Sequence, residues 1–252
     1  IGIGLGAAIS GLMVQFLPAP RVAVYVLLAV LFVVLAVAVA VRIEPAARSR
    51  DDTLSVRPRL GVPPAARRSF ALLVPGVVAS AAMGGFYNSL SGSVAVQILG
   101  HANRAISGFA ILTLQAAAIA ASLAMPALAR APRVVVAGSC VLAAGLGVLA
   151  LSLVASSTTA FFLGTALAGG GYGAVYLGTV RVLADLAPAG RRAELMSALN
   201  VVNYLSLSVP TLAAGVLATH IGLRPTAISF CLVLVSLALT SVVALTGAKR
   251  VK

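Results

Sequence analysis

Apolar runs of about twenty residues recur along this chain, and Lys and Arg fall almost entirely in the gaps between them. A helix needs ~20 mostly apolar residues to cross the ~30 Å hydrocarbon core, and only segments that satisfy their own backbone hydrogen bonds can sit there. The pattern therefore specifies an all-α, polytopic membrane helix bundle. Composition leads the same way: 61% of residues are hydrophobic and 9% charged, where a soluble domain carries roughly 45–50% and ~25%. The formal charge of +13 would suggest nucleic acid if the basic residues formed one solvated stripe with aromatics between them. They sit between apolar runs instead and Trp is absent, so the expected partner is the lipid bilayer and no nucleic acid. Cys140 and Cys231 both lie inside apolar runs with no zinc or redox spacing, so no metal, cofactor or disulfide is expected.

The periodicity predicts eight membrane helices, at about 1–17, 22–42, 70–97, 105–128, 133–155, 159–184, 193–219 and 222–247. Residues 43–69 interrupt them with four prolines and charges of both signs, a composition that reads as a linker dividing two helices from six. Alternate connections differ sharply in basic residues. One set holds fifteen: seven in 42–68, then Arg130 and Arg133, then Arg181, Arg191 and Arg192, and finally Lys249, Arg250 and Lys252. The other set holds only Arg21, Arg104 and Arg224. Because basic residues stay preferentially in the cytoplasm, this split predicts a cytoplasmic linker and C-terminus. The opening run, IGIGLGAAISGLMVQFL, has neither a Met nor a basic flank, so the expectation is of a chain that starts inside a helix of a longer protein.

Two stretches match the dinucleotide pattern G-x-G-x-x-[GA], at Gly2, Gly4, Ala7 and at Gly169, Gly171, Ala174, but both lie in apolar helices with no preceding strand. The better expectation for Gly2-x3-Gly6 and Gly169-x3-Gly173 is close helix packing through small residues. Polar residues inside spans form three stripes. The third helix carries Ser80, Gly84, Tyr87 and Ser91 on one face with Asn88 beside them; the seventh carries Asn200, Tyr204, Ser208 and Thr211; the sixth carries Tyr172 and Tyr176 one turn apart. Gln115 lies in the middle of the fourth helix. Each stripe alone is explained by interhelical hydrogen bonding, whereas three together point to a shared polar cavity. No carboxylate falls at mid-membrane: Glu44, Asp51 and Asp52 lie at the linker, and Asp185 and Glu194 flank the turn after the sixth helix. An intramembrane enzyme with Mg²⁺ or a base–nucleophile pair is thereby disfavoured, and a coupling proton would need an acid outside these spans. His101 and His220 fall in loops of the opposite set with no catalytic company.

The whole chain resembles the major facilitator superfamily, whose members have two six-helix halves joined by a long cytoplasmic loop. GIGLGAAISG at 2–11 is similar to the fifth-helix motif G-x-x-x-G-P-x-x-G-G at Gly2, Gly6 and Gly11, with Ala7 in place of the proline and Ser10 in place of one glycine. LARAPR at 128–133 resembles a worn L-x-D-R-x-G-R loop at Leu128, Arg130 and Arg133, and 187–217 resembles the turn into the eleventh helix of bacterial drug-efflux-like members, with Pro188, Arg191 and Pro210. On this resemblance the helices are the fifth to twelfth of twelve, 1–42 ends the N-terminal half, 43–69 is the central loop and 70–252 is the C-terminal half. It implies an inner-membrane secondary transporter working by alternating access, with the missing N-terminal half as its structural partner and a small molecule as its substrate. The cavity would be lined by Tyr87, Asn88 and Ser91 of the third helix and Tyr172 and Tyr176 of the sixth. Gln115, Asn200 and Tyr204 complete the expected substrate-binding set, and Arg181, Asp185, Arg191 and Glu194 are the expected cytoplasmic gate. Absent Trp and sparse polar stripes favour export of amphipathic molecules over import of a sugar or metabolite; a non-transporting scaffold or receptor of the same fold is the other alternative.

Overall fold

The computed structural model describes residues 2–16, 19–42, 61–100, 105–128, 131–188 and 190–250. These form eight helices: α1 (Gly2–Phe16), α2 (Pro20–Arg42), α3 (Pro64–Gln97), α4 (Ala105–Leu128), α5 (Ala131–Ala155), α6 (Thr158–Leu186), α7 (Arg192–Ile221) and α8 (Leu223–Arg250). Seven are long and apolar enough to span a bilayer. The described part of α1, at 15 residues, measures about 22 Å and is shorter than a full span. The all-α membrane bundle expected from the apolar runs is therefore what the chain forms.

One boundary departs from expectation. Helix α3 begins at Pro64 and not near residue 70, because Pro63 is extended (φ −51°, ψ 141°) and the next proline, at N1, has its φ pre-set for a helix. Prolines that mark a linker by composition here start a helix. Residues 43–60 of the expected linker lie outside the described residues, and 61–63 are non-helical.

Helix α3 is the hub. It packs against α4, α6, α7 and α8, while α5 and α6 form the most intimate pair and α1 rests on α4. Glycines allow these approaches. A Cβ on Gly169 or Gly173 would run into the backbone carbonyls of Leu114 or Ala118 in α4, and one on Gly171 into the backbone of Leu142 in α5. The glycine run thins α6 on two sides at once, so the expected Gly169-x3-Gly173 contact is present. Gly2 and Gly6 have nothing within 4 Å of such a Cβ; on α1 it is Gly4 that meets a neighbour, the Gln115 side chain at 2.9 Å. The expected Gly2-x3-Gly6 packing thus moves to the adjacent face of α1.

The larger core cluster joins Phe86 and Tyr87 of α3, Leu142, Leu146 and Leu149 of α5, and Phe161 of α6; a smaller one gathers Leu73, Val77, Val135, Leu183, Leu195 and Leu199. Helix α2 contributes to neither, since Val22–Val41 is 0% buried with mean hydropathy 3.2. Such a surface is stable only against lipid.

Contacts at the two ends sort the connections into two sets. Arg224, just after the α7–α8 joint, donates to the Ser156 hydroxyl in the α5–α6 turn at 2.5 Å. At the opposite end Arg192, opening α7, donates twice to the Ala184 carbonyl near the end of α6, at 3.1 and 3.2 Å. This grouping matches the alternation read from the basic residues.

Candidate functional site

The polar stripe of α3 is a single face, and that face is buried: Ser80, Gly84, Tyr87 and Ser91 are all enclosed. Tyr87 reaches α6, where its hydroxyl lies 2.6 Å from Thr165 Oγ1. Thr165 already donates to the Phe161 carbonyl at 2.7 Å, so Tyr87 is the donor in this bond. Its ring stacks on Phe161 with centroids 6.1 Å apart and meets Phe86 edge-on at 6.4 Å. The gap beside this aromatic cluster is about 20 Å³, room for one water at most. Tyr87 is therefore held inside the α3–α6 contact, and Ser91, a turn further on, is buried.

The other expected residues are distributed differently. Asn88, one residue on, is exposed. Tyr172 is half-buried, with its ring edge 3.8 Å from where a Gly84 Cβ would stand, an ordinary van der Waals distance that puts the ring beside α3. Tyr176, a turn further along α6, is 37% exposed. On α7, Asn200 and Ser208 are exposed and Tyr204 is 67% exposed. Gln115 packs its stem on Gly4 and belongs to the α1–α4 contact. The structure thus brings Tyr87 and Tyr172 to one interface, α3–α6, and leaves Asn88, Tyr176, Asn200 and Tyr204 on open faces.

Of the expected gate residues, Arg191 and Glu194 form a two-bonded ion pair at 2.7 and 2.8 Å. The Glu194 hydrogen bonds raise the Arg191 guanidinium further above its usual range, so Arg191 stays charged at any physiological pH. A Glu194 carboxylate oxygen also occupies the position a Cβ on Gly61 would take. The start of α7 is thereby tied to the segment preceding α3. Arg181 and Asp185 are not joined to each other: among the described residues the Arg191–Glu194 pair is the one salt bridge, and Asp185 is exposed. Beside the Arg191–Glu194 pair, Arg192 donates to the Ala184 carbonyl, and Asp185 is exposed.

Sequence reasoning missed Thr165, the acceptor that fixes Tyr87. It lies on α6 at i−7 from Tyr172, a helical spacing that places both on the side facing α3. Among the described residues no group of three metal-ligating side chains occurs.

Long apolar helices around a hub helix, seven of them able to span a bilayer, define a multi-pass membrane protein. Residues 1–209 match the Major Facilitator Superfamily, and the chain belongs to that family. Its members are in general secondary transporters and not enzymes. No curated protein and no solved structure matches the chain.

Proposed function

We propose that this protein exports small amphipathic molecules across a bacterial inner membrane by alternating access, with residues 43–60 and the C-terminus in the cytoplasm. In this reading α1–α2 belong to one six-helix half and α3–α8 form the other, as the fifth to twelfth helices of a twelve-helix transporter. The observation that carries the substrate class is the character of the open faces: Asn88, Tyr176, Asn200 and Tyr204 are polar or aromatic and uncharged. Tyrosine offers a broad apolar face with a polar tip, which suits ligands that have both. Tyr172 sits behind them at the α3 contact, and Tyr87 acts from within the core as a fixed wall. The lopsided count of basic residues supports the orientation. The Glu194–Gly61 and Arg191–Glu194 contacts support a cytoplasmic gate, with Arg181 and Asp185 at its edge.

The test is transport in everted membrane vesicles containing the whole twelve-helix transporter of this reading. Energised vesicles should accumulate a cationic amphipathic dye in a saturable way, and Tyr176→Ala with Tyr204→Ala should reduce that uptake several-fold while the amount of folded protein is unchanged. Saturable movement of a radiolabelled hexose, with none of the dye, would overturn the reading in favour of a sugar transporter. Failure to move either would leave a non-transporting scaffold.

A further inference from the structure

Most buried hydroxyls in the bundle satisfy themselves. Ser80, Ser152, Thr165, Ser206 and Thr226 each donate to a carbonyl three or four residues earlier in their own helix, the usual recourse of serine and threonine away from water. Three do not. Ser139 of α5, Thr179 of α6 and Ser241 of α8 are 0% exposed, and their hydroxyl oxygens have no hydrogen-bond partner among the described residues. An unmet hydroxyl in an apolar core is costly, so native proteins seldom leave one without water or another partner.

Two of the three face the same spot. The position where a Cβ on Gly76 of α3 would stand is 2.8 Å from Ser241 Oγ and 3.5 Å from Ser139 Oγ, so both oxygens look onto the bare side of that glycine from different helices. They are no further apart than the sum of those two lengths, yet they do not bond to each other. Polar groups that stand close without bonding directly are the arrangement a bridging water serves. Thr179 is one turn from Leu183, whose partners in the smaller core cluster include Val77, next to Gly76, and Val135, one turn before Ser139.

The helix that these serines face also has a backbone group in need of a partner. Pro75 stands inside α3 and has no N–H, so the Ala71 carbonyl loses its usual donor four residues on. In a bilayer such freed groups are satisfied by neighbouring Ser and Thr side chains and by ordered water. A cation would also suit hydroxyl oxygens, but none of α3, α5 and α8 carries a carboxylate. A buried charge without a counter-charge costs far more than a neutral guest.

We propose that a buried water bridges Ser139 and Ser241 beside Pro75 and Gly76, so that the hub helix α3 meets α5 and α8 through a hydrated joint. The site concerns how the bundle is held together, and it is independent of the substrate and direction of transport.

The experiment uses the full-length protein in lipid bilayers, labelled with ¹³C at serine, and follows magnetisation passing from water to the side chains by solid-state NMR. Ser152 is the dry reference, being 0% exposed and bonded to the Leu149 carbonyl at 2.7 Å. Loss of a signal in Ser139→Ala, Ser241→Ala or Ser152→Ala assigns it. The Ser139 and Ser241 signals should build up several-fold faster than that of Ser152, and equal rates overturn the proposal. Thermal unfolding in detergent supplies a second reading. Each single alanine at 139 or 241 takes a partner from the water and should lower the midpoint by about 2–4 °C, and the double variant should lower it by less than the two together, because both act through one water. Midpoints that rise show hydroxyls with no bond to lose, and losses that simply add show no shared guest; either result sinks the idea. So does a stabilisation by Na⁺ over choline, at equal ionic strength, that both alanines abolish, since it would make the guest a cation.

Discussion

The polar stripes of α3 and α7 have nearly the same helical spacing and the same kinds of residue, and they meet opposite fates. On α3 the stripe from Ser80 to Ser91 is enclosed by α6 and its neighbours, with Tyr87 3% exposed and bonded to Thr165. On α7 the stripe from Asn200 to Ser208 is open, and only its last member, Thr211, turns inward to lie against Gly85. The difference teaches that a polar stripe in a membrane helix names a face and nothing about what the face meets. Inside the bundle such residues act as hydrogen-bonded spacers. Outside it they are available to a ligand or to another surface.

Removing a ring from each stripe is the harshest test of that contrast. Tyr87→Ala empties an aromatic cluster and should cost about 3–5 kcal/mol in unfolding measured in detergent, whereas Tyr204→Ala should change stability by less than about 0.5 kcal/mol. Comparable losses would mean that α7 is covered. Backbone approach separates the two helices next. A Cβ on Gly85 would strike the Leu207 carbonyl, which cannot step aside, while Gly215 on α7 has nothing within 4 Å. Gly85→Ala should therefore destabilise by about 1–3 kcal/mol, and Gly215→Ala should be neutral or stabilising by up to about 1 kcal/mol through helix propensity; thermal shift of the two variants side by side decides it.

A finer pair asks whether the buried stripe is held by its hydrogen bond or only by its rings. Tyr87→Phe keeps the stack and removes the donor to Thr165, for an expected cost of about 0.5–1.5 kcal/mol. Restoring most of that loss by adding Thr165→Val would show that the unmet hydroxyl carries the cost; no restoration would assign it to packing. The smallest effect is expected at Ser208→Ala, within about 0.5 kcal/mol of the parent, because the side chain is exposed. A larger loss there would place α7 against a neighbour.

Much of the architecture is readable without coordinates. The number of helices, most of their ends, and the alternation of connections all follow from apolar length and the placement of Lys and Arg, since lipid tolerates no unsatisfied backbone and few charges. The Gly169-x3-Gly173 approach to α4 was legible too, because small residues one turn apart admit a neighbouring backbone. The same logic misplaced the contact on α1, where Gly4 and not Gly2 or Gly6 meets a partner, and it grouped Arg181 and Asp185 with Arg191 and Glu194, although among the described residues the one salt bridge is Arg191–Glu194.

What only the tertiary structure decided is which way each face looks. In a soluble protein the apolar side of a helix marks the core, but a bilayer is as apolar as a protein interior, so Leu and Val on α2 and on α5 read alike although one helix faces lipid and the other is packed. Sequence by itself therefore determined that this chain crosses a membrane many times, how its helices alternate, and which polar residues share a face. Burial of Tyr87 and exposure of Tyr204 depend on helices far apart in the chain meeting at glycine-thinned surfaces, and no local pattern encodes which of those surfaces come together.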